Sequence, residues 1–237
     1  MGIKTTRQKP RQPMIAVVYW LQKLLPMGAK SKIKLFMNLE WIFDRLSHET
    51  SFSIYSPEDH PFRKFSKKFI LENINSASTV LDLGCNLGDI SYMIAQKAKQ
   101  VVGIDYNETA IEAAKTKYKH PNLQFYHREA YDYLLENPRQ FDTLILSHIL
   151  EHLDNPEDFL QKFKGFFKEI YIELPDFDRT YLNQYRKDAG VSLIYTDDDH
   201  ISEFDRDELM ELLQKCHIEV FKSEYRFGIQ KLWCRVN

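Results

Sequence analysis

The apolar positions of this chain change period along its length. Residues 1–13 carry no periodic signal; they are polar, basic and proline-containing, which predicts an unstructured tail. Over residues 14–50 the apolar positions recur at helical spacing, with a break at Pro26-Met27-Gly28. The second helical piece, residues 30–46, sets Ile33, Phe36, Met37, Glu40, Trp41 and Phe43 near one face, with Lys30, Lys32 and Lys34 elsewhere. From about residue 75 onward, short apolar runs alternate with amphipathic stretches. Strands are expected over 79–83, 100–104, 123–127, 141–147 and 169–174, and helices over 89–99, 107–119 and 156–167. Asn107 suits a helix N-cap and Pro156 a first helical turn.

Strand–helix alternation of this kind predicts an α/β architecture, a doubly wound and mostly parallel sheet with helices on both faces. The chain end differs. A helix over 205–214, capped by Asp205, precedes strands over 217–222 and 225–236 separated only by Ser223 and Glu224. So short a link forces an antiparallel C-terminal hairpin, because a parallel pair needs a long crossover.

Composition narrows the class. With 43% hydrophobic and 28% charged residues the chain reads as globular rather than disordered or membrane-embedded. A formal charge of -2 gives no overall attraction to a polyanion, so a nucleic-acid partner is not expected. Cys85, Cys216 and Cys234 show neither CxxC spacing nor an even count, which predicts reduced thiols and a cytoplasmic setting. The basic residues Lys4, Arg7, Lys9 and Arg11 precede an apolar run over 14–21. That run is far short of the roughly 20 residues that span a bilayer, so neither export nor a transmembrane helix is expected. Its mixture with the lysines and Trp41 leaves two readings of residues 14–46: a helix packed over the main domain, or a peripheral contact with the inner face of the membrane.

The chemistry-bearing stretch is Val80-Leu81-Asp82-Leu83-Gly84-Cys85-Asn86-Leu87-Gly88-Asp89, between a buried strand and a helix. Glycines there let backbone approach a ligand, and a helix start offers free N–H groups. A dinucleotide site would need GxGxxG, but Asn86 and Asp89 stand where its second and third glycines belong. Asp89 would also oppose a pyrophosphate, so a nucleoside without phosphates fits better. One unit later, Val101-Val102-Gly103-Ile104-Asp105-Tyr106 ends in an acid placed to accept ribose hydroxyls.

These segments, with FDTLILSHILEHLDNPEDFL, resemble the class I S-adenosylmethionine-dependent methyltransferase family, of the small bacterial stand-alone type, over about residues 75–175. HISEFDRDEL is a weaker likeness. The resemblance implies a Rossmann-like fold, with residues 1–60 as an N-terminal tail and helical cap or lid. Residues 61–237 would be the methyltransferase domain, with an insertion at about 176–204. It implies S-adenosylmethionine as cofactor and S-adenosylhomocysteine as product. Asp82, Gly84, Cys85, Asn86 and Gly88 would border the methionine portion and Asp105 would hold the ribose. Tyr106, Glu129 and Ala130 would lie by the adenine, and Ser147 and His148 by the methyl-transfer space. Many family members carry Gly where this chain has Asn86.

His148, Glu151 and His152 form an HxxEH sequence. In one reading no metal is bound, and His148 is a base or orienting residue with His200 as a second polar group near the acceptor. In the other, His148, Glu151, His152 and His200 hold a divalent ion. His200, in an acidic loop, could equally pin the last helix. Phe177, Tyr181, Tyr185 and Tyr195, with Tyr171 before them and Arg179, Arg186 and Lys187 interleaved, are expected to wall the acceptor site. The resulting expectation is O-methylation of a hydroxylated small molecule, sugar or glycan. The alternatives are metal-assisted methylation of an RNA terminus, which lacks the basic run that phosphates favour, and a non-catalytic cofactor-binding or membrane scaffold, against which Gly84, Gly88 and Asp105 argue.

Overall fold

A computed structural model describes residues 13–56, 59–137, 141–191, 197 and 199–237. The expectations for residues 1–12 and for Tyr195 lie outside them. In chain order the elements are α1 (Pro13–Leu21), α2 (Ala29–Ser51), α3 (Pro61–Asn73), β1 (Thr79–Leu83), α4 (Asp89–Ala95), β2 (Gln100–Asp105), α5 (Glu108–Lys117) and β3 (Leu123–His127). Then come α6 (Ala130–Glu136), β4 (Phe141–Ser147), α7 (Pro156–Phe163), β5 (Phe167–Pro175), α8 (Tyr181–Ala189), α9 (Arg206–Lys215), β6 (Ile218–Arg226) and β7 (Ile229–Val236).

The strands form one seven-stranded sheet in the order β3-β2-β1-β4-β5-β7-β6. β1 to β5 are parallel, whereas β7 runs antiparallel to both β5 and β6. The side chains of a strand alternate between faces, and the buried strand residues obey this strictly. Leu81, Val102, Leu144 and Ile170 join a cluster with Leu134 of α6, Leu160 of α7 and Leu209 of α9. Their neighbours Val80, Val101, Ile145 and Tyr171 join Ile70 of α3 and Ile94 of α4 on the other face. Both faces are thus covered, as a parallel sheet requires.

The order of the sheet reverses direction at β1, whose neighbours are β2 on one side and β4 on the other. Adjacent crossovers diverge there, opening a crevice at the strand C-termini, where ligands bind in such sheets.

The helix caps follow the sequence chemistry. Asn107 accepts the Ala110 N–H at the start of α5, and Asp205 forms a reciprocal capping box with Glu208 at α9. Three local expectations are corrected. The hairpin turn lies at Phe227-Gly228, four residues beyond Ser223-Glu224. Both turn residues have positive φ (56° and 78°), which is what a two-residue hairpin turn matching the strand twist demands and what Gly228 supplies. Helix α4 stops at Ala95, where the Lys97 and Ala98 N–H groups fold back on the Ile94 carbonyl. On α2, Met37 is buried, but Phe43 is 63% exposed and Arg45 turns inward instead. No described helix is long and apolar enough to cross a membrane.

Candidate active site at the strand ends

The turn after β1 is tied to β2. The Gly84 and Cys85 N–H groups both donate to the Ile104 carbonyl, at 2.8 and 3.1 Å. Gly84, Asn86 and Gly88 all have positive φ. A Cβ on Gly88 would lie 2.6 Å from the Phe125 ring, so glycine is required twice over there, by dihedral and by space. Asn86 sits at φ 46°, a region Asn enters more readily than most residues, which is why it can replace Gly at this position.

Asp105, at the end of β2, is buried and accepts two backbone N–H groups, from Asn86 and Asn107, each at 2.8 Å. These bonds fix the carboxylate while leaving lone pairs for a ligand. Beside it opens a cleft of about 900 Å³. Of the predicted cofactor residues, Gly84, Asn86, Asp105, Tyr106, Glu129 and Ala130 line it. Asp82, Cys85, Gly88 and Ser147 do not. Asp82 is buried beneath the loop, accepting the Ser91 hydroxyl at 2.5 Å. Burial, reinforced by Asp89 and Asp105, pushes its carboxyl up to about 7, against the opposing pull of Ser91. Cys85 packs with Ile111, Ala114 and Phe125, and burial pushes its thiol up, so it is a core residue under the turn.

A second cavity, of about 610 Å³, adjoins the first. His148, His152 and Asp199 line both. Its wall also includes Trp41, Arg45 and His48 of α2, Arg179 before α8, Asn183 and Arg186 of α8, His200, and Phe227-Gly228 of the hairpin turn. The expected aromatic wall is therefore corrected. Asn183 and Arg186, three residues apart, share the inner face of α8, whereas Tyr181 and Tyr185 meet edge to face on its exposed outer face. Tyr171 lies in the core against Trp233. Arg186 is buried, bonded to Asn183 at 2.8 Å and to Glu40 of α2, which locks α8 to α2.

His148 stands between the cavities in the left-handed region, φ 56°. Its Nδ1 lies 2.9 Å from Oε1 of Glu151 and its Nε2 3.5 Å from Oε1 of Glu173; both carboxylates are buried. Ser66 of α3 donates to Glu173 at 2.7 Å, and the Tyr171 hydroxyl donates to its other oxygen. Burial by itself would lower the His148 pKa, but the two carboxylates outweigh it and raise it to about 10. The two carboxylates favour the protonated ring, which suits the orienting role expected for His148 better than that of a base. His200 is likewise raised, its Nδ1 3.0 Å from Glu203 outweighing burial. His152 meets His200 edge to face, with ring centroids 4.9 Å apart.

Sequence reading missed Glu173, Ser66, Asn183 and the inward turn of Arg45. A glutamate in the otherwise apolar interior of β5 was the one legible signal among them.

Comparison with known proteins agrees with this geometry. A family profile described as a methyltransferase domain matches residues 60–221. An uncharacterized RNA methyltransferase of Mycoplasma mobile is 42% identical over 80 residues, 32% of this chain and 22% of that protein. A ubiquinone biosynthesis O-methyltransferase of Stutzerimonas stutzeri is 32% identical over 100 residues, 41% of this chain and 43% of that protein. The chain therefore spans less than half the length of either relative. Magnesium protoporphyrin IX methyltransferase from Synechocystis, solved with bound S-adenosylhomocysteine, shares the fold with a TM-score of 0.56 at 16% identity, over 73% of this chain and 81% of that one. With a profile match over more than half its length and the fold shared with solved methyltransferases, the chain belongs to the class I S-adenosylmethionine-dependent methyltransferase family.

Proposed function

We propose that the protein transfers the methyl group of S-adenosylmethionine to a hydroxyl oxygen of a small polar acceptor, of which a sugar or glycan is one class. The observation that carries this reading is the pair of adjoining cavities sharing His148, His152 and Asp199. The cleft beside Asp105 takes the nucleoside, and the cavity under α2 and α8 takes the acceptor. An oxygen there attacks the methyl carbon, the carbon–sulfur bond breaks, and S-adenosylhomocysteine leaves as a neutral thioether. Most of the acceleration comes from alignment of oxygen, methyl and sulfur. The hydroxyl proton needs an acceptor, and His152, which borders both cavities, is the base by position. Arg186 and Asn183 donate to acceptor oxygens, and Trp41 and Phe227 offer ring faces to a sugar or aromatic ring. The O-methyltransferase relative is consistent with oxygen as the acceptor atom.

A divalent cation is a second reading, on one observation. Glu151, His152 and His200 offer ligand atoms within 4.8 Å of one another, and Oε2 of Glu151 is buried without a hydrogen-bond partner. His148 falls outside that set, because both its ring nitrogens face carboxylates. A cation held by those three residues would acidify an acceptor hydroxyl.

The test is release of S-adenosylhomocysteine from the full chain with a panel of sugars, catechols and short RNA fragments, with and without Mg²⁺ or Mn²⁺. Turnover with a hydroxylated small molecule is expected. Turnover with RNA alone, or methylation at nitrogen, overturns the proposed acceptor.

A further inference from the structure

Helix α1 is apolar on every side: Met14, Ile15, Val17, Val18, Tyr19 and Trp20 are each at least 55% exposed. A helix that is hydrophobic all round belongs in a core or in lipid. The exposed surface continues onto α2, where Leu39, Ile42, Phe43 and Leu46 are all exposed. Their spacing, i, i+3, i+4 and i+7, makes one outward stripe. The opposite side of α2 carries Trp41, Arg45 and His48 into the second cavity. One helix thus has a face toward the proposed acceptor cavity and an apolar face that no described residue covers.

Charge identifies what covers the apolar face. Residues 1–39 contain eight lysines and arginines and no acidic residue, leaving a net -10 on the rest of a chain whose total is -2. Lys23, just past α1, and Lys30, in the first turn of α2, are exposed. A second copy of the chain is a poor occupant, since a two-fold interface sets the same patch against itself and would oppose two segments of +8. An anionic lipid surface complements the charge and the apolar area together. Nine residues of α1 reach only about 14 Å, too short to cross a bilayer, so the helix lies in the headgroup layer with Tyr19 and Trp20 as interfacial anchors.

We propose that residues 14–46 dock the protein peripherally on an anionic lipid bilayer, through α1 and the Leu39–Ile42–Phe43–Leu46 stripe flanked by lysines.

The experiment is co-sedimentation of the full chain with vesicles of phosphatidylcholine alone and of phosphatidylcholine mixed with phosphatidylglycerol, with Trp fluorescence and sedimentation velocity in parallel. Binding to the anionic vesicles at least about tenfold tighter than to the neutral ones is expected, weakening in high salt. A blue shift of Trp fluorescence that disappears in Trp20→Phe is also expected. The double variant Val17→Glu/Trp20→Glu should lose vesicle binding while still binding S-adenosylhomocysteine, because both side chains are exposed. Equal sedimentation of wild type and that variant overturns the proposal. So does a wild-type protein that ignores vesicles and is a dimer which the same variant makes monomeric.

Discussion

The backbone N–H of Asn86 donates to Oδ2 of Asp105 at 2.8 Å, joining the turn after β1 to the end of β2 across nineteen positions. The acid proposed to hold the ribose therefore also holds the shape of the glycine turn. Asp105→Ala removes both functions. Hydrogen bonds to a charged group contribute about 1.5–3 kcal/mol each, so S-adenosylhomocysteine affinity should fall at least about tenfold. Calorimetry on the folded variant checks this; affinity within about threefold of wild type would remove Asp105 from the cofactor site.

Gly88→Ala should destabilise by about 2–4 kcal/mol, from a left-handed backbone and a Cβ driven into the Phe125 ring. The double variant Gly88→Ala/Phe125→Leu separates the two costs. It should recover the steric part and leave the dihedral part, giving a coupling energy of about 1–3 kcal/mol in denaturation. Zero coupling means that the ring does not limit the position.

His148 gives stability a defined pH window. A histidine raised to about 10 stabilises the fold fully below its unfolded value near 6.5 and loses that contribution as pH climbs toward 10. Glu173, lowered because the bonds from His148, Tyr171 and Ser66 outweigh burial, contributes above the ordinary glutamate value and loses that contribution as pH falls below it. The pair should thus be most stabilising between about pH 4.5 and 6.5. From pH 6.5 to 10, wild type should lose about 1–3 kcal/mol relative to His148→Gln. Parallel denaturation slopes for the two proteins over that range would show that the ring is neutral.

His152 and Asp105 should separate turnover from binding. His152→Ala is expected to lower kcat by about 10²–10⁴-fold, the usual span for a general base, with little change in S-adenosylhomocysteine affinity. Asp105→Ala should do the reverse. Equal kcat in His152→Ala and wild type would assign the proton to another group.

Arg186→Lys tests the acceptor cavity. The guanidinium bonds Asn183 and Glu40 at once, a fork that a lysine cannot reproduce. The variant should raise the acceptor KM and leave cofactor affinity unchanged. Weakened cofactor binding would instead place Arg186 in the general stability of the fold.

Local chemistry determined much of this protein. The five parallel strands were legible because four are short, largely buried apolar runs and the fifth, β3, follows a turn at His120-Pro121-Asn122. The glycine turn beside the cleft was legible as a turn because its glycines, Asn86 and Asp105 lie within 22 consecutive positions, where spacing strongly constrains geometry. The caps Asn107 and Asp205 bond within their own first turns. What the tertiary structure decided involves partners far apart in the chain. Glu173 and Ser66 set the charge on His148 from β5 and α3. α2 and α8 build the second cavity by facing each other, so that Arg186, rather than the aromatic residues beside it, points inward. The hairpin turn moved to Phe227-Gly228 because sheet pairing selected the register, and only there could a glycine supply the positive φ. Periodicity shows which face of an element is apolar; which element covers that face depends on packing, and for α1 no described part of the chain covers it.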